Sequence, residues 1–280
     1  MPQLNTFAFD TMVFGGMGSL NTVPSTDTLV FENFSLSDGT NMVLQSLVFK
    51  GPTRDLVGGN IPRADGMYLT SDYFREYTIE ASGIAVQSSA AALDAYLDTV
   101  RKSLRKREGN LDYTDKNGTV KRFVATLDAY EDLFANRQGW NITVCPWKAS
   151  FKCKTPFGRA RSYTATSLTF SSSPTSQSFV NAGTYKAPAV FTLIFSSASS
   201  VTSIDVTNTL TGEEITYTGT ASANDVFVFD GENKQVTKNG TAVDFTGSFP
   251  NLDLGGNVCT FTINGTFSVN LTGKFRTTYL

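Results

Sequence analysis

Side chains able to move a proton near neutral pH are scarce in this sequence. Its 280 residues include no histidine, the usual general base and the commonest metal ligand. That excludes Ser-His-Asp triads, Cys-His dyads, HExxH zinc sites and two-His-one-carboxylate iron sites. The acid/base groups left at useful density are carboxylates: the doublets Glu131-Asp132 and Glu213-Glu214, and Asp225. Two carboxylates flanking a bond can hydrolyse a glycoside. Adjacent residues of a strand point to opposite faces, however, so neither doublet forms a dyad by itself. Asp230 and Asp253 lie near turn glycines, where aspartate serves the backbone. Cys145, Cys153 and Cys259 are odd in number and form no Cys-x-x-Cys. They read as small buried hydrophobes rather than a disulfide framework or a structural zinc site. Gly15-Gly16-Met17-Gly18 lacks the Gly-Lys-Ser/Thr of a phosphate loop. No catalytic residue, cofactor or metal site is expected.

The elements around these residues are set by composition. Charged residues make up 17%, below the roughly 25% of ordinary soluble domains. Glycine (23), phenylalanine (22) and abundant Ser and Thr fill the difference, which suits strands and tight turns. The 40% apolar share is enough for a proper core. A net charge of −2 gives no footprint for duplex nucleic acid. No basic segment leads into an apolar run near the start, and no stretch of about eighteen apolar residues occurs, so neither a conventional signal peptide nor membrane insertion is expected. Asn-x-Ser/Thr triplets stand at Asn33, Asn117, Asn141, Asn239, Asn264 and Asn270; those at 117, 239 and 264 are Asn-Gly-Thr, which turn chemistry explains.

Residues 1–27 show little periodicity. Strands are expected at Thr28–Phe34, Met42–Phe49 and Tyr73–Val86, the last with Tyr77, Ile79 and Ala81 on one face. Between them, Gly51–Thr70 has no clear period and carries Pro52, Gly58-Gly59, Pro62 and Gly66. Such a long irregular stretch in a compact domain is uncommon and usually functional or mobile. One helix is plain: from Ala90 to Arg107, Leu93, Tyr96, Leu97, Val100 and Leu104 form an i, i+3, i+4, i+7, i+11 stripe. Ser88 or Ser89 caps its start, and Gly109 is expected to end it. The cluster Arg101, Lys102, Arg105, Lys106 and Arg107 reads as a solvated last turn favoured by the helix dipole. Asn110–Tyr113 and Val120–Leu127 follow. Trp140, Ile142 and Val144 are expected to face a core, and Lys148–Lys154 continues their strand.

The Ser/Thr content rises beyond about Arg161, placing a domain boundary between roughly 154 and 163. Short strands are expected at Tyr163–Phe170, Val190–Phe195, Ser203–Asn208, Glu214–Tyr217, Asp225–Phe229, Lys234–Lys238, Thr241–Val243, Cys259–Ile263 and Thr266–Leu271. Turns are expected at Leu210–Glu213, Asp230-Gly231, Asn239-Gly240, Gly255-Gly256 and Asn264-Gly265. Spacings of about 8–12 residues argue for an antiparallel sandwich.

The order strand Tyr77–Val86, helix, Glu108-Gly109-Asn110-Leu111, a hairpin with Lys121-Arg122-Phe123-Val124-Ala125, then Phe151-Lys152-Cys153-Lys154-Thr155-Pro156-Phe157 resembles the distal tail proteins (Dit) of long-tailed phages. The run Asp230–Gly240 (DGENKQVTKNG), then Phe249-Pro250-Asn251-Leu252, Gly255-Gly256-Asn257 and the ending Phe275–Leu280 (FRTTYL) are similar to that family's second domain and closing segment. The resemblance implies a mainly β chain with one principal helix. A tail-tube-like belt domain over 1–157, completed by 274–280, would form a ring, usually a hexamer. A galectin-like antiparallel β-sandwich over 158–273 would project outward. The implied partners are other copies of the chain, the tail tube protein, the tail tip or hub protein and receptor-binding proteins, with the genome passing through the channel unbound. The implied location is the virion, at the tail tip or baseplate, after assembly in the host cytoplasm.

A galectin sugar site uses His and Trp. Trp140 and Trp147 both precede the sandwich, so the resemblance does not carry sugar recognition with it. On this reading the chain is a structural hub and not an enzyme. The rival readings are a tail-tube subunit with an appended sandwich, or a carbohydrate-binding module for cell-surface attachment. The candidate ring-contact arm is Gly51–Thr70, represented by Gly51, Pro52, Leu56, Val57, Ile61, Pro62, Met67 and Tyr68. Fully extended, it would reach ~60 Å.

Overall fold

A computed structural model describes residues 27–51, 54–60, 67–74, 77–105, 108–132 and 143–280. In chain order the first elements are Thr28–Phe31 (β1), Phe34–Ser35 (β2), Met42–Lys50 (β3), Arg54–Asn60 (β4), Met67–Phe74 (β5) and Tyr77–Val86 (β6). Then come helix Ala90–Leu104 (α1), Gly109–Thr114 (β7), Val120–Asp132 (β8), Val144–Cys153 (β9) and Gly158–Ala160 (β10). The second half holds Thr164–Phe170 (β11), Thr175–Asn181 (β12), Ala187–Asn208 (β13), Glu214–Ala221 (β14), Val226–Asp230 (β15) and Gln235–Lys238 (β16). Thr241–Ala242 (β17), Thr246–Gly247 (β18), Asn251–Leu252 (β19), Gly255–Phe275 (β20) and Thr278–Tyr279 (β21) complete it. The chain is mainly β with one helix among the described residues, and every strand pair is antiparallel, as the sequence predicts.

The first sheet runs β2-β1-β7-β8-β9-β6-β3. Alternation in β6 buries Tyr77, Ile79 and Ala81, and α1 lays Leu93, Leu97, Val100 and Leu104 into the same core. Ser89 caps the helix by accepting from the Ala92 N–H at 3.2 Å, satisfying one of the orphan N–H groups of the first turn. The helix stops at Leu104 with Arg105 as its C-cap, and Gly109 instead begins β7, opposite Ala125. Lys106 and Arg107 lie outside the described residues, as do Gly15–Gly18 and Trp140. In β9 the inward residues are Cys145, Trp147, Ala149, Phe151 and Cys153, while Val144 is exposed. The expected inward face of Val144 was therefore one residue out of phase, because Pro146 obscures the alternation. That proline pairs with Ile84 of β6.

The second sheet is organised by β13 and β20, which pair from Ala189↔Phe275 to Asn208↔Cys259. One half of this pair carries β11 and β15 on its flanks, the other β12 and β14. The halves fold onto each other, as rings from different halves meet: Phe191–Phe261 at 5.3 Å, Phe179–Phe191 at 5.7 Å and Tyr217–Phe227 at 4.9 Å. Edge-on and tilted aromatic contacts of this kind suit a close-packed sandwich core.

Here the sequence reading needs correction. Val190–Phe195 with Ser203–Asn208, and Cys259–Ile263 with Thr266–Leu271, are two long strands rather than four short ones. Asn264-Gly265 is not a hairpin turn but a bend. Gly265 has φ +135°, and a Cβ there would lie 2.7 Å from the Ser200 carbonyl oxygen. The register shifts opposite it, between Ser199 and Ser203, mark the same fold in β13. Strand β12 had no counterpart in the expectations.

Candidate ring interface and sheet junction

Strands β4 and β5 pair as a two-stranded ribbon, from Arg54↔Phe74 to Asn60↔Met67. This corrects the irregular reading of Gly51–Thr70: glycines and prolines masked a hairpin. The ribbon continues the β3–β6 pair, since from Ser46↔Ser82 through Lys50↔Thr78 and Arg54↔Phe74 to Val57↔Ser71 the pairing keeps one register. Because β5 returns along β4, the reach is that of one strand of seven residues, roughly 20 Å at about 3.3 Å per residue, not ~60 Å. Of the candidate arm residues, Leu56 and Val57 lie in β4, opposite Asp72 and Ser71, and Met67 and Tyr68 lie in β5, opposite Asn60 and Gly59. Gly51 is exposed just beyond β3, while Pro52, Ile61 and Pro62 fall outside the described residues.

The ribbon root sits beside an aromatic cluster. Phe49 of β3 meets Tyr113 at 4.9 Å and Tyr77 at 6.2 Å, and Tyr77 stacks on Phe123 at 5.6 Å. Burial, then the charge of neighbouring groups, pushes the Tyr77 and Tyr113 phenols up to about 12. The last residue of β3, Lys50, pairs with Glu80 of β6.

The C-terminal strand β21 returns to the first sheet, where Gly158 and Arg159 of β10 pair with Tyr279 and Thr278. The composition shift had placed Gly158–Ala160 in the sandwich; these residues instead form an edge of the first sheet, on β8. The Thr278 carbonyl accepts from the N–H groups of Thr184 and Tyr185 at 3.0 and 3.1 Å. Gly183 is required there, as a Cβ would lie 2.1 Å from that carbonyl oxygen. Tyr185 stacks on Phe157 at 4.6 Å. Beside them, Glu232 accepts from the Tyr163 hydroxyl at 2.8 Å and from Arg276 Nη2 at 3.2 Å, and faces Arg159 Nη1 at 3.5 Å. Arg276 also lies over the Tyr163 ring at 4.4 Å. This knot spans the two sheets, and the sequence reading missed it. The only signal was the run DGENK, read there as a hairpin turn.

The carboxylates considered for chemistry are engaged in structure. Asp225 accepts from the Ser222 N–H at 2.7 Å and Asn239 Nδ2 at 2.8 Å, and pairs with Lys238 at 3.0 Å. Burial alone would raise its pKa, but these bonds hold it below the usual carboxylate range. Glu213 accepts from the Asn251 N–H at 2.6 Å, Glu214 from the Thr207 hydroxyl at 3.0 Å, and Asp132 pairs with Arg101 at 2.8 Å. Glu131 lies opposite Lys148. Asp230 accepts from two N–H groups of its own turn, and the N–H of Leu254 donates to Asp253. Among the described residues, no three His, Cys, Asp or Glu side chains gather as a metal site. Cys145, Cys153 and Cys259 are buried and form no disulfide among the described residues. Trp147 is buried in the first sheet's core, so it offers no stacking platform for a sugar. Among the described residues, no helix is long and apolar enough to cross a membrane.

No curated protein matches the chain. The solved structure of the SPP1 Dit protein, described as a paradigm of hub adsorption apparatus in Gram-positive-infecting phages, superposes with a TM-score of 0.67 at 12% identity, covering 91% of this chain and 99% of that one. The phage P2 baseplate in its activated conformation gives 0.44 at 8% identity, over 89% and 97%. Residues 182–279 match the family described as siphovirus-type tail component, C-terminal domain. The resemblance read from the sequence is borne out: residues 182–279 match the siphovirus-type tail component C-terminal domain, on a chain whose fold is similar to that of the SPP1 Dit protein.

Proposed function

We propose that this tail component is a structural hub whose copies close into a ring through the first sheet.

 The ring is a hexamer, and it joins the tail tube protein to the tail tip or hub protein and to receptor-binding proteins. The sandwich is displayed at the periphery, and the genome passes through the central channel unbound. The role is mechanical rather than enzymatic, and it is exercised in the virion after assembly in the host cytoplasm. Symmetric closure buries, at each joint, surface that a lone copy leaves in water.

The observation that carries this reading is the ribbon. An antiparallel pair that keeps the β3–β6 register as far as Val57↔Ser71, and extends for seven residues, has no sheet neighbour of its own among the described residues. An isolated two-stranded ribbon is marginal in water, so a neighbouring copy that covers it supplies the missing contacts. The family match over residues 182–279 supports the tail setting.

Light scattering on a calibrated column tests it, with electron microscopy of the same fractions. The full chain should elute as a multimer seen as an annulus, and deletion of 52–65 should reduce it to single copies. A full chain that stays solitary at high concentration overturns the ring. A deletion that leaves the multimer mass unchanged overturns the arm, and long polymers would identify a tube subunit instead.

A further inference from the structure

The sandwich has one side whose edges are undefended. Among the described residues, strands β11 and β12 each pair with β20 on one side only. Both run seven residues in continuous register without a bulge. A free edge presents a row of N–H and C=O groups that template pairing, and soluble proteins blunt such edges with lysine, proline, bulges or very short strands. Several other edges among the described residues follow that rule. Strands β2, β17 and β18 are two residues long, and β3 has a register shift and ends at Lys50. By contrast, the sequence from Ser162 to Tyr185 holds no Asp, Glu, Lys or Arg, and its one proline, Pro174, lies in the turn between β11 and β12.

Exposed apolar side chains gather at the β12 edge. Val180 is 67% exposed, Leu210 57%, Leu254 51% and Val258 39%. Pairing places them together: Val180 lies opposite Gly256, Ser178 opposite Val258, and the Thr209 N–H donates to the Val258 carbonyl at 2.9 Å. Contiguous exposed apolar surface on a soluble protein marks an interaction site.

We propose that β12 is a docking edge for an extended segment of a second tail protein, which adds a strand beside Thr175–Asn181. The free ladder calls for an extended backbone as the ligand. The uncharged edge selects an uncharged strand, since an ionised side chain laid there would lose water and gain no partner. The exposed Val180 corner selects apolar residues at alternate positions of that strand. Ring closure is not required for this contact.

Hydrogen exchange of purified protein, compared with the same chain in intact tails, tests the proposal, together with p-benzoylphenylalanine photo-crosslinking from Val180. Outward N–H groups of 175–181 should exchange at least about tenfold more slowly in tails, and the crosslink should join a different tail protein. Ser178→Lys, at an exposed position, should abolish that crosslink while purified protein keeps its melting temperature. Equal exchange in both states overturns the proposal. A crosslinked product of twice the chain mass also overturns it, in favour of a second copy. Failure of the ring leaves these readouts unchanged, so the two readings fail separately.

Discussion

Replacing Glu232 by alanine tests whether the two sheets are locked at their junction. Its carboxylate accepts from Tyr163 at 2.8 Å and Arg276 at 3.2 Å, and faces Arg159 at 3.5 Å. Removing one partner of a fully buried pair costs about 3–5 kcal/mol. Here the Arg159 and Arg276 side chains keep 27% and 25% of their surface in water, so the truncation leaves them partly hydrated. Arg276 also retains the Tyr163 hydroxyl at 2.8 Å. The expected loss is therefore about 2 kcal/mol, or roughly 4–8 °C in Tm for a chain of this size. Scanning calorimetry of the single variants and a double-mutant cycle with Arg159→Ala measures it. Arg159 belongs to β10 in the first sheet and Glu232 to the β15–β16 turn of the second, so their coupling energy reports the junction alone. A coupling of about 0.5 kcal/mol or more is expected. A stability loss below about 0.5 kcal/mol with no coupling would refute the lock.

Alkaline pH should destabilise the folded protein. Burial pushes the Cys153 and Cys259 thiols from 9.0 up to about 12, and burial followed by neighbouring charge pushes the Tyr77, Tyr96 and Tyr113 phenols from 10.0 up to about 12. Each folded value lies above its unfolded one, so the stabilisation is complete below pH 9 and lost as pH rises towards 12, the thiols contributing first. Urea midpoints flat from pH 9 to 12 would contradict this. Gly265→Ala should cost about 2 kcal/mol or more, because φ +135° and the 2.7 Å approach to Ser200 leave no room for a methyl group. Urea unfolding that shows less than about 0.5 kcal/mol would mean the bend accommodates a side chain.

What the sequence reveals about this fold follows from where its periodicity is clean. The α1 stripe and the alternation of β6 are legible because each buries one unbroken face, Leu93 to Leu104 and Tyr77 to Ala85. The β13 and β20 strands were divided because Asn-Gly is the strongest local hairpin signal, yet at Asn264 the chain bends through the glycine and pairing resumes at Thr266↔Ser199. Strand β12 escaped notice because Thr, Ser and Gln alternate without an apolar rhythm until Phe179. The ribbon escaped for a related reason: Gly58-Gly59 reads as a turn, whereas pairing runs through both glycines with one register shift. Long-range partners such as Glu232 with Arg159 carry no local signature at all, since only the fold brings residues so far apart in sequence together.

The junction has a mechanical consequence. The chain leaves the first sheet after β10 and returns to it at β21, and the two crossings run side by side: Ala160 donates its N–H to the Thr277 carbonyl at 2.8 Å. A single covalent linker allows a domain to swivel about it. Two antiparallel, hydrogen-bonded crossings resist that rotation and leave bending as the softer motion. The Glu232 knot opposes bending on one side of the crossings, and the Thr278–Tyr185 bridge with the Phe157–Tyr185 stack adds a second contact. The sandwich is thereby held at a set angle to the first sheet, and the open edge of β12 points in a direction fixed by the same joint. A docking strand on β12 would then load the first sheet through this joint rather than through a flexible tether.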